Sequence, residues 1–290
     1  MFSDLRPRPI HVSLGPARVL GVLGVLGAPA ACGPPPPDAA TRAITQGAAD
    51  PGDAQVVALL GGDGHPYCSG TLVSPNVVLT AAHCLAPSAP AGISFDAQPS
   101  PDGAASAPAA WLVHPRFDAV TLADDAGVVL LASPSAVKPA RLSTAALDAS
   151  FVGAAVRVVG FGQQFAGDTA PLARHTGTAA VSSIGAGSFV VSAAPSQPCR
   201  GDSGGPGFVT RGGVEYVAGI DSSGDAMCRS FAALQRADTV ADFVESFVDA
   251  HRAGGCALGS RGGPRPFELA LVLACGLALR RLSRSSRSRC

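Results

Sequence analysis

The middle of the chain alternates between short apolar runs and clusters of turn-forming residues. Runs at 55–60, 67–73, 77–80, 155–162, 179–182, 189–191 and 216–220 are rich in Val, Leu, Ala and Phe. Gly61-Gly62-Asp63-Gly64, Ser74-Pro75-Asn76 and Gly212-Gly213 punctuate them. Runs of this length bounded by such residues predict strands joined by tight turns. Residues 86–108, dominated by Ala, Pro, Ser and Gly, read as loops between short strands. Over 238–250 the spacing changes: Val240, Phe243, Val244 and Phe247 fall on one face of a helix. This pattern predicts a mostly β domain closed by one helix.

The two ends have a different character. Arg6, Arg8 and Arg18, an apolar run at 19–26 and small residues at 28–31 predict an export signal over 1–31. The run is too short to cross a bilayer as a standard helix. Pro29-Ala30-Ala31-Cys32 resembles a bacterial lipoprotein cleavage box, which implies lipidation at Cys32; ordinary cleavage near residue 30 is the rival reading. Four prolines at 34–37 make 32–43 a stiff spacer or propeptide. Beyond residue 254 come Cys256, a Gly/Arg/Pro linker, a short apolar segment at 269–279 and a cluster of arginines.

Composition narrows the classes. The chain has 290 residues, 47% hydrophobic and only 14% charged, with a formal net charge of zero, so it can bury a core and presents no charge excess toward nucleic acid. No cluster of metal-ligand residues stands out, and neither a cofactor nor a metal is expected. Eight cysteines have to be sorted between bridges and other roles.

The chemistry concentrates at Cys199-Arg200-Gly201-Asp202-Ser203-Gly204-Gly205-Pro206. A serine hydroxyl needs a base to take its proton and free N–H groups to meet the oxyanion that forms. Glycines on both sides let a substrate carbonyl approach the main chain. Two further stretches complete a pattern: Thr80-Ala81-Ala82-His83-Cys84 at the end of a strand, and Asp124-Asp125 ahead of the apolar run Val128-Val129-Leu130-Leu131. The three together resemble the chymotrypsin/trypsin-like serine proteases, in sequence and in the order His, Asp, Ser. The register favours Asp125 over Asp124, which reads as a loop acid or cap. His114, in Trp111-Leu112-Val113-His114-Pro115, reads as structural.

The resemblance implies two six-stranded antiparallel β-barrels with a C-terminal helix, spanning 44–255, and a triad of His83, Asp125 and Ser203 acting on protein or peptide substrates. It implies an oxyanion hole from Gly201 and Ser203, and disulfides Cys68–Cys84 and Cys199–Cys228. Ile44-Thr45-Gln46-Gly47 is similar to the family's mature N-terminus, which implies a zymogen whose cleavage frees the Ile44 amine to pair with Asp202. Gln197 stands where trypsin has its pocket aspartate, with Ser222, Gly224 and Ala232 at other pocket positions. These imply cleavage after a small or medium neutral residue. The segment 256–290, from Cys256 onward, resembles the myxobacterial C-terminal sorting tag. That implies attachment to a membrane or cell surface and an exported location; no oligomeric state is implied. A non-catalytic surface module on the same fold is the competing reading, and such a module is expected to lack one triad residue.

Overall fold

The computed structural model describes residues 44–170 and 172–252. The expected export signal, the spacer, Cys32, and the terminal segment with Cys256 lie outside the described residues.

The chain enters through β1 (Ala48–Ala49) and then builds a first sheet from β2 (Val56–Leu60), β3 (Pro66–Ser74), β4 (Val77–Thr80), β5 (Gly92–Ser94), β6 (Pro108–Val113) and β7 (Gly127–Leu131). Its strand order is β5-β2-β3-β4-β7-β6, and every pairing is antiparallel. The sheet curls until Ile93 of β5 bridges Ser106, just ahead of β6. All five residues of β2 and all four of β4 are buried, which is why these strands read as continuous apolar runs rather than alternating ones. A single-turn helix α1 (Ala82–Leu85) follows β4 directly.

The second sheet comprises β8 (Ala155–Gly160), β9 (His175–Ile184), β10 (Ser188–Ala193), β11 (Pro206–Arg211), β12 (Val214–Gly224) and β13 (Ala232–Arg236). Its order is β9-β10-β13-β12-β11-β8, and β8 pairs back onto β9, closing a six-stranded barrel with β1 added outside β9. The β11–β12 hairpin turns at Gly212 and Gly213, whose φ values of 57° and 76° are the two positive angles a tight two-residue hairpin demands. One closed barrel and one curled six-stranded sheet, followed by a helix, give the chymotrypsin-like architecture the resemblance implied.

Strands β9 and β12 run longer than their apolar runs, because backbone pairing continues through polar residues once a neighbour supplies the ladder. The closing helix α2 (Ala241–Ala250) begins three residues later than 238. Its apolar face, Val244 and Phe247 with Val240 just before it, is buried in the core of the first sheet. His114 is buried against this helix, edge-on to Phe243 with ring centroids 4.9 Å apart, and burial pulls its pKa down.

Arg174 ties the two halves together. It is 2% exposed and donates from Nε to Asp50 O at 3.0 Å, and from Nη1 to Val56 O at 2.8 Å and Phe95 O at 3.3 Å. A planar donor fork suits such a junction, where main-chain carbonyls from separate segments converge away from water.

Candidate active site

The apolar strand β4 delivers His83 into α1, and β7 delivers Asp125 beside it. Asp125 is completely buried, and its carboxylate is held from three directions. Oδ1 accepts the His83 main-chain N–H at 2.9 Å, while Oδ2 lies 2.7 Å from His83 Nδ1 and accepts the Ser222 hydroxyl at 2.6 Å. The Asp125 N–H donates to Gln235 Oε1 at 3.1 Å. A carboxylate that can only accept makes Nδ1 the protonated ring nitrogen and leaves Nε2 with a free lone pair. Asp124 points the other way, toward Arg116 Nε at 3.1 Å. One residue of register therefore separates a buried acid from a surface one.

Ser203 lies on the loop between β10 and β11. The loop is pinned to β3: Ser69 N–H donates to Ser203 O at 2.8 Å and Ser69 Oγ to Gly201 O at 2.9 Å. Gly204 has φ +84°, and a Cβ there would lie 2.1 Å from Thr80 Oγ1 and 2.3 Å from Ser69 O. Only glycine fits this contact between the serine loop and the histidine strand. Among the described residues the N–H groups of Gly201 and Ser203 donate to nothing, and Ser203 Oγ makes no hydrogen bond. Cys84 Sγ lies 3.7 Å from His83 Nε2 and 3.7 Å from Ser203 O, so the Cys68–Cys84 disulfide sits where ring and serine loop meet. Cys68, His83 and Cys84 cluster closely enough to suggest a metal site, but both sulfurs are spent in that bridge.

Asp202 turns inward. Its Oδ1 accepts the Gly162 N–H and its Oδ2 the Cys199 N–H, each at 2.8 Å, and the Ile44 N–H adds a further bond. Burial without a cation pushes its pKa up to about 7, against the lowering effect of those main-chain donors. Ile44 is completely buried in the core of the closed barrel.

Beside Ser203 opens a cavity of about 230 Å³ whose walls include Pro198, Cys199, Asp221, Ser223, Gly224 and Ala232. The Cys199–Cys228 disulfide crosses one side of it. Of the residues the sequence placed here, Gly224 and Ala232 are on the wall. Ser222 instead faces Asp125, and Gln197 is completely buried, its Nε2 donating to Asp225 Oδ2 at 3.3 Å. Asp225 organises the rim: its carboxylate accepts N–H groups from Ser230, Arg229, Phe231 and Met227, and those bonds hold its pKa well below the usual range.

Sequence reading missed Gln235, Asp225 and Asp221. Asp221 alone left a signal, a carboxylate at the end of the buried run Val217-Ala218-Gly219-Ile220.

A family model described as Trypsin matches residues 44–244. A curated relative, "Trypsin" of Saccharopolyspora erythraea, is 30% identical over 191 residues, covering 60% of this chain and 82% of the relative. Fold, serine loop and these two matches agree: the chain belongs to the trypsin family of serine endopeptidases.

Proposed function

We propose that the chain hydrolyses peptide bonds through a triad of His83, Asp125 and Ser203. The observation that carries this reading is the buried Asp125, bonded to both the main chain and the ring of His83. His83 Nε2 takes the Ser203 proton as Oγ bonds to the substrate carbonyl carbon. The oxyanion that forms is met by the idle N–H groups of Gly201 and Ser203. The imidazolium then gives its proton to the leaving amine as the C–N bond breaks; water, deprotonated by His83, next attacks the acyl carbon, the bond to Ser203 Oγ breaks as Oγ takes the proton back, and the carboxylic acid product leaves. Asp125 stays ionised, fixing the ring tautomer and stabilising its cation. Ser203→Ala is expected to lower kcat by roughly four to six orders of magnitude with an unchanged urea midpoint. A folded variant that retains wild-type turnover refutes the triad.

Activation follows from Ile44. A chain cut before residue 44 would present an ammonium to Asp202, whose carboxylate meets no cation among the described residues. The ion pair would then hold the loop that carries Gly201 and Ser203. Two disulfides support an exported enzyme. Attachment through Cys32 or Cys256 completes the reading. For the residue preceding the cut bond, the neutral Gln197 argues for a neutral side chain, while the cavity wall carries Asp221.

A further inference from the structure

The acid beside His83 stands outside the sheet that delivers it. The ladder of β7 begins at Gly127, opposite Thr80 and Val113, so the Asp125 N–H lies ahead of it. Asp124, just before, takes φ +51°, a left-handed conformation that non-glycine residues hold chiefly where their surroundings impose it. The Ala126 N–H closes this turn onto Asp124 O at 2.8 Å. Arg116 grips the Asp124 carboxylate from the exposed side. On the buried side the main chain is held by Gln235, whose Oε1 accepts the Asp125 N–H at 3.1 Å. Among the described residues that N–H has no other acceptor.

Gln235 is itself firmly mounted. It lies on β13, paired to β12 on one side and to β10 on the other, and is 2% exposed. Its Nε2 donates to Arg236 O at 3.2 Å and to Thr239 Oγ1 at 2.9 Å, and that hydroxyl donates in turn to Arg236 O at 3.0 Å. With both amide hydrogens engaged there, Oε1 is the end that faces Asp125. Ser222 reaches the Asp125 carboxylate from β12. The acid thus comes from the first sheet, yet the closed barrel holds it at its N–H and at its carboxylate. That barrel also includes β11, which follows the Ser203 loop. We propose that Gln235 is a positioning residue for the hydrolysis: it fixes the Asp125 main chain, and through Asp125 the His83 ring, relative to Ser203. This rests on the peptidase reading above. Being buried, Gln235 acts through Asp125 and not on the substrate. Without it a buried N–H loses its partner and the turn at Asp124 is free to relax. A displacement of about 1 Å among reacting groups can lower a rate roughly 100-fold.

The test uses the processed enzyme and one peptide amide, chosen from a library as the substrate wild type cleaves fastest. Gln235→Met keeps the length of the side chain and removes the acceptor. It is expected to lower kcat at least about tenfold with KM within about twofold of wild type, the folded fraction being read by circular dichroism. Gln235→Glu, whose carboxyl still accepts the Asp125 N–H, is expected to bring kcat back to within about threefold of wild type. A side chain that only supports the fold would lower stability and leave the turnover of folded enzyme alone. A smaller loss of kcat in folded Gln235→Met, a loss confined to KM, or no recovery in Gln235→Glu overturns the proposal and leaves the peptidase reading standing. A wild-type Ser203 that ignores a peptidyl phosphonate overturns both. Should Gln235→Met not fold, Gln235→Asn decides: one methylene shorter, it must lose at least about fivefold in kcat at unchanged KM, and a smaller loss refutes the assignment.

Discussion

Asp202 offers a quantitative test of how the loop beneath Ser203 is held. In the uncleaved chain its carboxylate is fully buried among main-chain donors, and its pKa rises from the ordinary 3.8 to about 7. The folded state therefore keeps a proton that the unfolded state has already released. Its contribution to stability is fully present below pH 4, declines between about pH 4 and 7, and is gone above that. At about 1.4 kcal/mol for each pH unit, the rise amounts to roughly 4 kcal/mol. The assay is urea unfolding from pH 4 to 8 on the uncleaved Ser203→Ala chain, which cannot digest itself, compared with Ser203→Ala/Asp202→Asn. Asparagine loses hydrogen bonds at every pH, which shifts its curve by a constant. The difference between the two curves should change by roughly 4 kcal/mol across that window. A chain beginning at Ile44 should behave oppositely, losing stability as pH falls, because its ammonium holds Asp202 ionised. Curves that stay parallel within about 1 kcal/mol would refute the placement of this carboxylate.

Other consequences can be checked together. Ser222→Ala removes the 2.6 Å bond to Asp125 and should cost about 1.5–3 kcal/mol of stability together with roughly tenfold in kcat, read by urea melts and steady-state rates. Gly204→Ala should lose at least about 3 kcal/mol, since a Cβ would fall 2.1 Å from Thr80 Oγ1 at a φ of +84°; a change under about 1 kcal/mol would show that the loop has another resting place. Replacing Cys199 and Cys228 by alanine opens a bridge of sequence separation 29 and should cost roughly 3–4 kcal/mol by loop-closure entropy, measured under non-reducing conditions.

The strands and their turns were legible because the signals are local: apolar runs of strand length, and Gly212-Gly213 at a hairpin that demands two positive φ angles. The ends of β9 and β12 were not, because pairing to a neighbour extends a strand past its apolar run. Within the site, His83, Asp125 and Ser203 were visible as residue types in recurring contexts, and the one-residue choice between Asp124 and Asp125 follows from the apolar-small-apolar-apolar register Ala126-Gly127-Val128-Val129, which starts directly after Asp125 and runs into the buried strand β7. Gln235 stayed hidden because its role is a contact with Asp125 from a distant strand. Gln197 was placed in the cavity by its distance from Ser203 along the chain, yet its side chain turns toward Asp225. Asp221 was passed over because it lies beside the recognisable Ser222-Ser223-Gly224, and only the fold shows that it lies on the cavity wall with one carboxylate oxygen buried and unpartnered.

The central claim is that the hydroxyl of Ser203 is made reactive by His83 as Asp125 orients it. Reaction with a peptidyl phosphonate, followed by mass mapping of the modified peptide, tests it directly. The account predicts a single adduct on Ser203 in wild type and a rate lowered at least about a thousandfold in folded His83→Ala. An adduct on another residue, or an undiminished rate without His83, would contradict it.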